Sequence, residues 1–354
     1  MLLSLFIQSA WPCAGIFHDV DALAESDHQE VIIAQHDEHV AVSYRTLYDG
    51  DAENFGWVIP IFGEFISLED GDDDRFDSLR EHTQPLVERI YNTGSDDAGG
   101  CIGRSRTTKG SDNAWMDTGD LSSGGLDTVA EGFTGTYQYT VLEATADGPL
   151  INWLEENGWS IGNTSDTIAE YVAEGGVQFV AISLSDMGGQ TPIAGRNLPP
   201  VDVQYAGDSL RFPSQMANGA MLEMIGTTVY VLGNERARVR GWSSQTRDQI
   251  NGSTLDDPSV LYDELLWEIG GNTHAYLEVF SGENPLNSSD ASRVTRFDTL
   301  ASPDAHTLDP TFSLDGGMDN VDTWIVLEEE SGNQSWIWFP AFGILGLGLA
   351  RRRK

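Results

Sequence analysis

One stretch restricts the fold more than any other: YDGDAENFGWVIPIFGEF, residues 48–65. Asp49, Asp51, Glu53 and Asn54 crowd a polar turn signal at Asp49-Gly50-Asp51. The almost wholly apolar run Phe55 to Ile61 follows at once. A strand apolar on both faces has no side to offer water and is expected to be largely buried. Pro60 has no N–H to give to a ladder, which places it at an edge, a bulge or the strand end. Just upstream, QEVIIAQHDEHVAVSYRTLYDG alternates Val31, Ile33 and Gln35 with Ile32 and Ala34, turns at His36-Asp37-Glu38-His39, and alternates again through Val40, Val42 and Tyr44. That is a β-hairpin. Because the connection is short, the spacing predicts Trp57, Val58, Ile59 and Ile61 in a central or near-central strand paired with the Val40 to Leu47 strand.

Downstream the periodicity changes. In DGDDDRFDSLREHTQPLVERIYN, Phe76, Leu79, Leu86, Val87 and Ile90 fall near helical spacing, with Pro85 as a break and Asp72 to Asp74 at the helix start, where its dipole favours acids. Residues 94–125 read as a long exposed loop rich in Gly, Ser, Asp and Thr. TYQYTVLEA, VQFVAISL, MLEMIGTTVYVLG and HAYLEVFSG read as strands. GPLINWLEENGW reads as a short helix stopped by Gly158, and TSDTIAEYVAEGG as a second, capped by Ser165 or Asp166 and stopped by Gly175. DDPSVLYDELLWEIGG is a third, with Pro258 in its first turn. Strands and helices come in mixed groups, so the expected class is α+β, with mixed or antiparallel sheets and a few short helices. Residues 13–282 form the main domain, divisible into two subdomains near 130, and residues 283–334 read as an acidic polar linker.

Charge removes one large class of partner. The chain carries 19 basic against 56 acidic residues, a net of -37, and its only lysines are Lys109 and Lys354. Phosphate recognition needs a basic footprint, so nucleic acid is excluded as a partner. A surface this rich in carboxylates and poor in lysine fits a protein facing saline water; ordinary compositional drift is the alternative. Cys13 and Cys101 are the two cysteines. A lone pair fits one disulfide in an oxidising compartment, and two unrelated thiols is the other reading.

Both ends speak of export. Residues 1–12 hold a short apolar segment ending in small residues, like the core and cleavage zone of a secretory signal, but without a basic start, so the start reads as truncated. The apolar run Trp336 to Ala350 precedes Arg351, Arg352, Arg353 and Lys354. As a helix its 15 residues span about 22 Å, short of the roughly 30 Å hydrocarbon core. Interfacial Trp336 and Trp338 and snorkelling arginines close that gap. Two readings stand: residues 335–354 are a short membrane anchor, or a sorting tail removed by a processing protease. Either leaves the acidic body outside the cytoplasm, in the periplasm, on the surface or beyond it.

The order of these motifs resembles a known bacterial family. CAGIF, the hairpin leading into GDAENFGWVIPI, YTVLEATADGPLINWLEENGW, IAEYVAEGGVQFVAISL and VYVLG together are similar to the exported family termed domain of unknown function 2330, over roughly Cys13 to Phe280. Phe62-Gly63 departs from the second proline common in that family, and the resemblance implies more cysteines than two. It implies export and a shared fold; it implies no activity and no catalytic residues.

Three candidate chemistries are legible in the residues. Asp70 to Glu81 matches a calcium-binding loop at Asp70, Asp72, Asp74 and Glu81, with Ser78 at the ninth position, but Arg75 stands where the turn needs glycine. The plainer reading is an acidic helix start. His36 and His39 flank a turn with Asp37 and Glu38, a set that could hold a transition metal or could simply be a polar turn. No G-x-S-x-G or H-E-x-x-H occurs, and acid pairs such as Glu155-Glu156 arise by chance in a chain this acidic. The expected function is a non-enzymatic binding or structural module of the cell envelope or surface, without a cofactor unless calcium binds. An exported hydrolase using Asp/Glu chemistry is the alternative.

Overall fold

The computed structural model describes residues 16–17, 28–46, 56–91, 124–159, 161, 164–184, 199–219, 224–246, 261–271, 274–286, 291–321 and 324–329. The turn expected at 49–54, Cys13, Cys101, Pro258, almost all of the 94–125 loop and both terminal segments lie outside these residues.

Strands β1 (Ile16–Phe17), β2 (His28–Gln35), β3 (His39–Thr46), β4 (Gly56–Ile61), β5 (Phe65–Asp70) and β6 (Leu86–Tyr91) come from the first part of the chain. Next are β7 (Leu126–Phe133), β8 (Tyr137–Ala144), β9 (Gln178–Leu184), β10 (Val201–Ala206), β11 (Leu210–Arg211) and β12 (Ile225–Gly233). The last are β13 (Arg238–Arg240), β14 (Ser243–Thr246), β15 (Ala275–Glu283), β16 (Arg293–Ala301), β17 (Thr311–Ser313) and β18 (Trp324–Glu329). Four short α-helices are interspersed among the described residues: α1 (Asp73–Thr83), α2 (Asp147–Glu156), α3 (Ser165–Glu174) and α4 (Leu261–Ile269). The architecture is sheet-rich with few short helices, compatible with the α+β class or a mostly-β one.

Two sheets form the frame. An eight-stranded mixed sheet runs β14-β15-β16-β12-β2-β3-β10-β5, and a five-stranded sheet runs β1-β4-β9-β8-β7. Val31, Ile33, Val42, Val229 and Phe297 of the first share one core with Trp57, Ile59, Ile61, Val141 and Val180 of the second. Strand alternation sends the remaining side chains outward. Val58, Leu142 and Phe179 meet Leu150 and Leu154 of α2 and Ile168 and Tyr171 of α3. On the far face of the larger sheet, Ile32, Tyr230 and Leu232 meet Phe76 and Leu79 of α1. Four layers result, helix on sheet on sheet on helix, because apolar side chains stand on both faces of each sheet and have to be covered twice.

Every residue of β4 is buried, as its two-faced apolar run requires. Its expected pairing with β3 is not what the structure shows. β4 pairs with β9 and with the short β1, while β3 pairs with β2 and β10. Tyr44 of β3 faces Trp57 of β4 across the core, ring centroids 5.8 Å apart in a T-shaped contact. A two-faced strand needs cover above and below, and β3 supplies the cover rather than the ladder. Among the described residues Pro60 is paired only with β9, β1 meeting β4 at Trp57 and Gly56.

Other expectations are revised as well. Leu86–Tyr91 is a strand paired in parallel with β18, not a continuation of α1; Pro85 ends the helical pattern for good. Thr164, rather than Ser165 or Asp166, precedes α3. The boundary considered near 130 falls inside β7, and β4 joins β9 across it. Within 283–334, expected to be a linker, the described residues include β16, which lies inside the large sheet between β12 and β15. Its polar residues disguise it, because Thr295, Thr299, Arg296 and Asp298 are all buried. Each is hydrogen-bonded there, Thr299 Oγ1 for example donating to Ala275 O at 2.8 Å.

Candidate functional site

A row of charged and phenolic side chains crosses the outer face of the large sheet beneath α1. Antiparallel register sets Glu30 of β2 directly opposite Arg45 of β3. Arg45 Nε donates to Glu30 Oε2 at 2.8 Å, and Arg45 Nη1 reaches Asp77 of α1 at 2.9 Å. Arg80, one turn along α1, also donates to Glu30, with Nε at 3.2 Å from Oε1. Tyr230 of β12 donates its hydroxyl to the same Oε1 at 3.1 Å. On β16, Arg296 binds Asp298 through Nε and Nη2, at 2.9 and 2.7 Å, and Tyr262 of α4 donates to Asp298. The Arg296 guanidinium lies 5.7 Å from the Tyr230 ring centre and joins the two halves of the row. Burial pushes the Glu30 carboxyl up, but the hydrogen bond from Arg80 and the charge of Arg45 outweigh it, and the net shift is downward. Glu30 is a carboxylate saturated with donors.

A second knot closes one end of the sandwich. Asp309, with a side chain 1% exposed, accepts from Tyr171 Oη of α3 at 2.8 Å, from Arg211 Nε of β11 at 2.9 Å and from the Gln215 backbone N–H at 2.8 Å. Arg211 continues to Glu174 at 2.6 Å and stacks on Phe62 at 4.2 Å. Burial pushes the Asp309 carboxyl up to about 6, against the lowering effect of Gln215, Arg211 and Tyr171. Three residues earlier, His306 is fully buried, and neither ring nitrogen meets a hydrogen-bonding group among the described residues. Burial, helped by His274, pushes its imidazole down to about 3.

The calcium candidates are not gathered. Asp70 ends β5 and accepts from Thr134 and Thr136 of the β7–β8 turn. Asp72 caps α1 by accepting from the Asp74 N–H at 3.0 Å, while Asp74 and Glu81 lie within that helix. Among the described residues no group of three or more His, Cys, Asp or Glu is placed to hold a metal ion. The segment is an acidic helix start, as its missing turn glycine suggests. His36 and His39 stack across the hairpin turn, centroids 4.5 Å apart and 12° from parallel. Cys13, Cys101, Trp336, Trp338 and Arg351 to Lys354 fall outside the described residues, within which no helix is long and apolar enough to cross a membrane.

Sequence reasoning missed Glu30, Arg45, Asp298, Asp309 and His306. For the first two a signal existed: Glu30 opposite Arg45 follows from the hairpin register alone. The others lie in a stretch whose polarity reads as solvent exposure.

No curated protein matches the chain. Among solved structures, the crystal structure of baculovirus P35 aligns over 85% of this chain and 97% of its own at 10% identity, with a TM-score of 0.33, too low to define a common fold. The profile of domain of unknown function 2330, described as an uncharacterized protein conserved in bacteria, matches residues 7–296. With that span matched and the quoted motifs inside it, the chain belongs to this bacterial family.

Proposed function

We propose that the chain is the exported body of a bacterial cell-envelope or surface protein that binds or scaffolds rather than catalyses. The observation that carries this reading is the condition of the buried acids. Among the described residues four carboxyl side chains are buried: Glu30, Glu278, Asp298 and Asp309. Each is held by an arginine of the fold: Arg45, Arg236, Arg296 and Arg211 respectively. Acid–base catalysis needs a carboxyl within reach of a substrate proton, not one whose oxygens are already engaged. Export is supported by the apolar start and by the Trp336 to Ala350 run with its basic end, which would engage the membrane at least transiently.

One observation favours the exported hydrolase instead. Asp309 has a pKa raised to about 6, and such shifts cluster at functional sites. The two readings separate on turnover. Purified full-length chain and an Asp309→Asn variant are assayed against model glycosides, esters and peptides. The binding reading expects no turnover by either. Turnover by the wild type that the folded variant lacks would transfer the assignment to the hydrolase.

A further inference from the structure

We infer that residues 302–311 form an acid-released strap over the aromatic end of the core. The strap runs from the end of β16 to β17 and has no sheet ladder of its own before Thr311. Its attachments are hydrogen bonds to single groups rather than ladders: Ser302 N–H donates to Gly271 O at 3.0 Å, and Pro310 O accepts from Phe212 N–H at 3.1 Å. Leu308 O accepts from Trp242 Nε1 at 2.7 Å and from Ser214 Oγ at 3.1 Å. Thr307 O accepts from Gln215 Nε2 at 3.1 Å, and Asp309 holds the knot already described. Pro303 and Ala305 are buried, so opening breaks packing as well as these bonds, but it does so without unzipping either sheet, as a sub-global unit.

His306 gives this opening its pH dependence. Its ring is packed 5.1 Å from Trp242 and is sealed from solvent, with neither nitrogen bonded among the described residues. An imidazolium there would be shut from bulk solvent with no acceptor for either N–H among the described residues, so the closed strap disfavours the charged ring. An opened strap returns the ring to water and to its ordinary affinity for a proton, near 6.5. Protons therefore bind the open form and pull it open by mass action.

The surrounding charges act in the same direction or can be separated. His274, whose Nε2 lies 3.2 Å from Thr307 Oγ1, disfavours a positive charge on His306. Asp304 and Asp309 belong to the strap itself, Arg211 and Glu174 lie beyond Asp309, and Glu170 binds Gln215. Asp309 titrates in the opposite sense, since burial favours its protonated form. A comparison that removes only His306 leaves that contribution in place on both sides. Opening would uncover Trp242 and Tyr276, whose rings lie 4.9 Å apart beneath the strap.

The experiment is hydrogen exchange by mass spectrometry on the full chain, wild type and His306→Leu, at pH 7.5 and 5.5, corrected for the intrinsic exchange rate. In peptides covering 302–311, the ratio of wild-type to variant opening is expected to rise about tenfold from the higher to the lower pH, because the open form alone gains a proton with a pKa near 6.5. Peptides from β2 and β12 are expected to show no such change. A ratio that stays constant in the strap overturns the inference. If the variant does not fold, the His306 ring resonances of the wild type decide the matter. A ring that stays neutral at pH 5.5 in the closed strap supports the inference, and one that titrates near 6.5 with strap protection unchanged overturns it.

Discussion

Replacing Glu30 by glutamine removes a charge while keeping the shape of the side chain. The amide keeps one acceptor oxygen, but the arginines lose the negative charge they share, and one of its two oxygens becomes an NH2 donor. Arg45 is the one that suffers, since its side chain is only 6% exposed and sits 4.6 Å over the ring of Phe76. It keeps Asp77 at 2.9 Å, but that carboxylate is half in water. Breaking a buried pair by removing one partner costs about 3–5 kcal/mol, and the surviving Asp77 contact places this case near 3 kcal/mol. Arg80 is 47% exposed and can turn to solvent, so Arg80→Gln is expected to cost under about 1 kcal/mol. The pH dependence carries a sign. Because the folded carboxyl lies below its ordinary value, its stabilisation is complete above that value and is lost as pH falls through the folded one. Glu30→Gln therefore shallows the acid limb of the stability curve. The assay is the urea midpoint of wild type and both variants between pH 3 and 7. A Glu30→Gln cost below about 1 kcal/mol at neutral pH, or equal costs for the two variants, would refute the idea that burial of Arg45 sets the magnitude.

Three further outcomes follow from other parts of the fold. For Asp309→Asn the sign reverses: a carboxyl raised to about 6 from an ordinary 3.8 costs the wild type stability as pH climbs between those values, by about 3 kcal/mol, so the variant's midpoint gains on the wild type across that window. Gly63→Ala is expected to cost about 3 kcal/mol by thermal melting, because a Cβ there would lie 1.9 Å from the Ala206 carbonyl oxygen; an unchanged melting temperature would contradict the close approach. Without its four basic tail residues the chain holds 15 basic (19 minus 4) against 56 acidic groups, a net of -41. The urea midpoint of that body should rise from low salt to ~1 M sodium chloride as self-repulsion is screened, and a flat or falling midpoint would remove the argument for a saline setting.

What could be read from the residues divides along a physical line. The hairpin of β2 and β3, the burial of Trp57 to Ile61, and the helices at 147–156 and 165–174 with their glycine stops follow from local periodicity and backbone constraints. The partner of β4 does not, because ladder and layer neighbours present the same apolar face to a strand. Leu86 to Tyr91 fits either period over so short a span. β16 was hidden for a different reason. Arg293, Arg296 and Asp298 are residues that normally face water, and only the tertiary fold, by supplying Asn320, Thr83 and Tyr262 as partners, makes their burial tolerable. The same holds for Asp309, whose donors come from α3, β11 and the 3-10 turn Ser214–Gly219. The buried polar groups that distinguish this fold are those a polarity pattern assigns to the surface.

The central claim is that the acidic body works outside the cytoplasm as a binding or structural module. The most direct measurement is protease accessibility of the full-length chain in intact bacterial cells, before and after the outer membrane is opened, with a cytoplasmic protein as control. The account predicts that the body is cut in one of those two states while the control stays whole. A body that resists until the inner membrane is lysed, and is then cut together with the control, would contradict it.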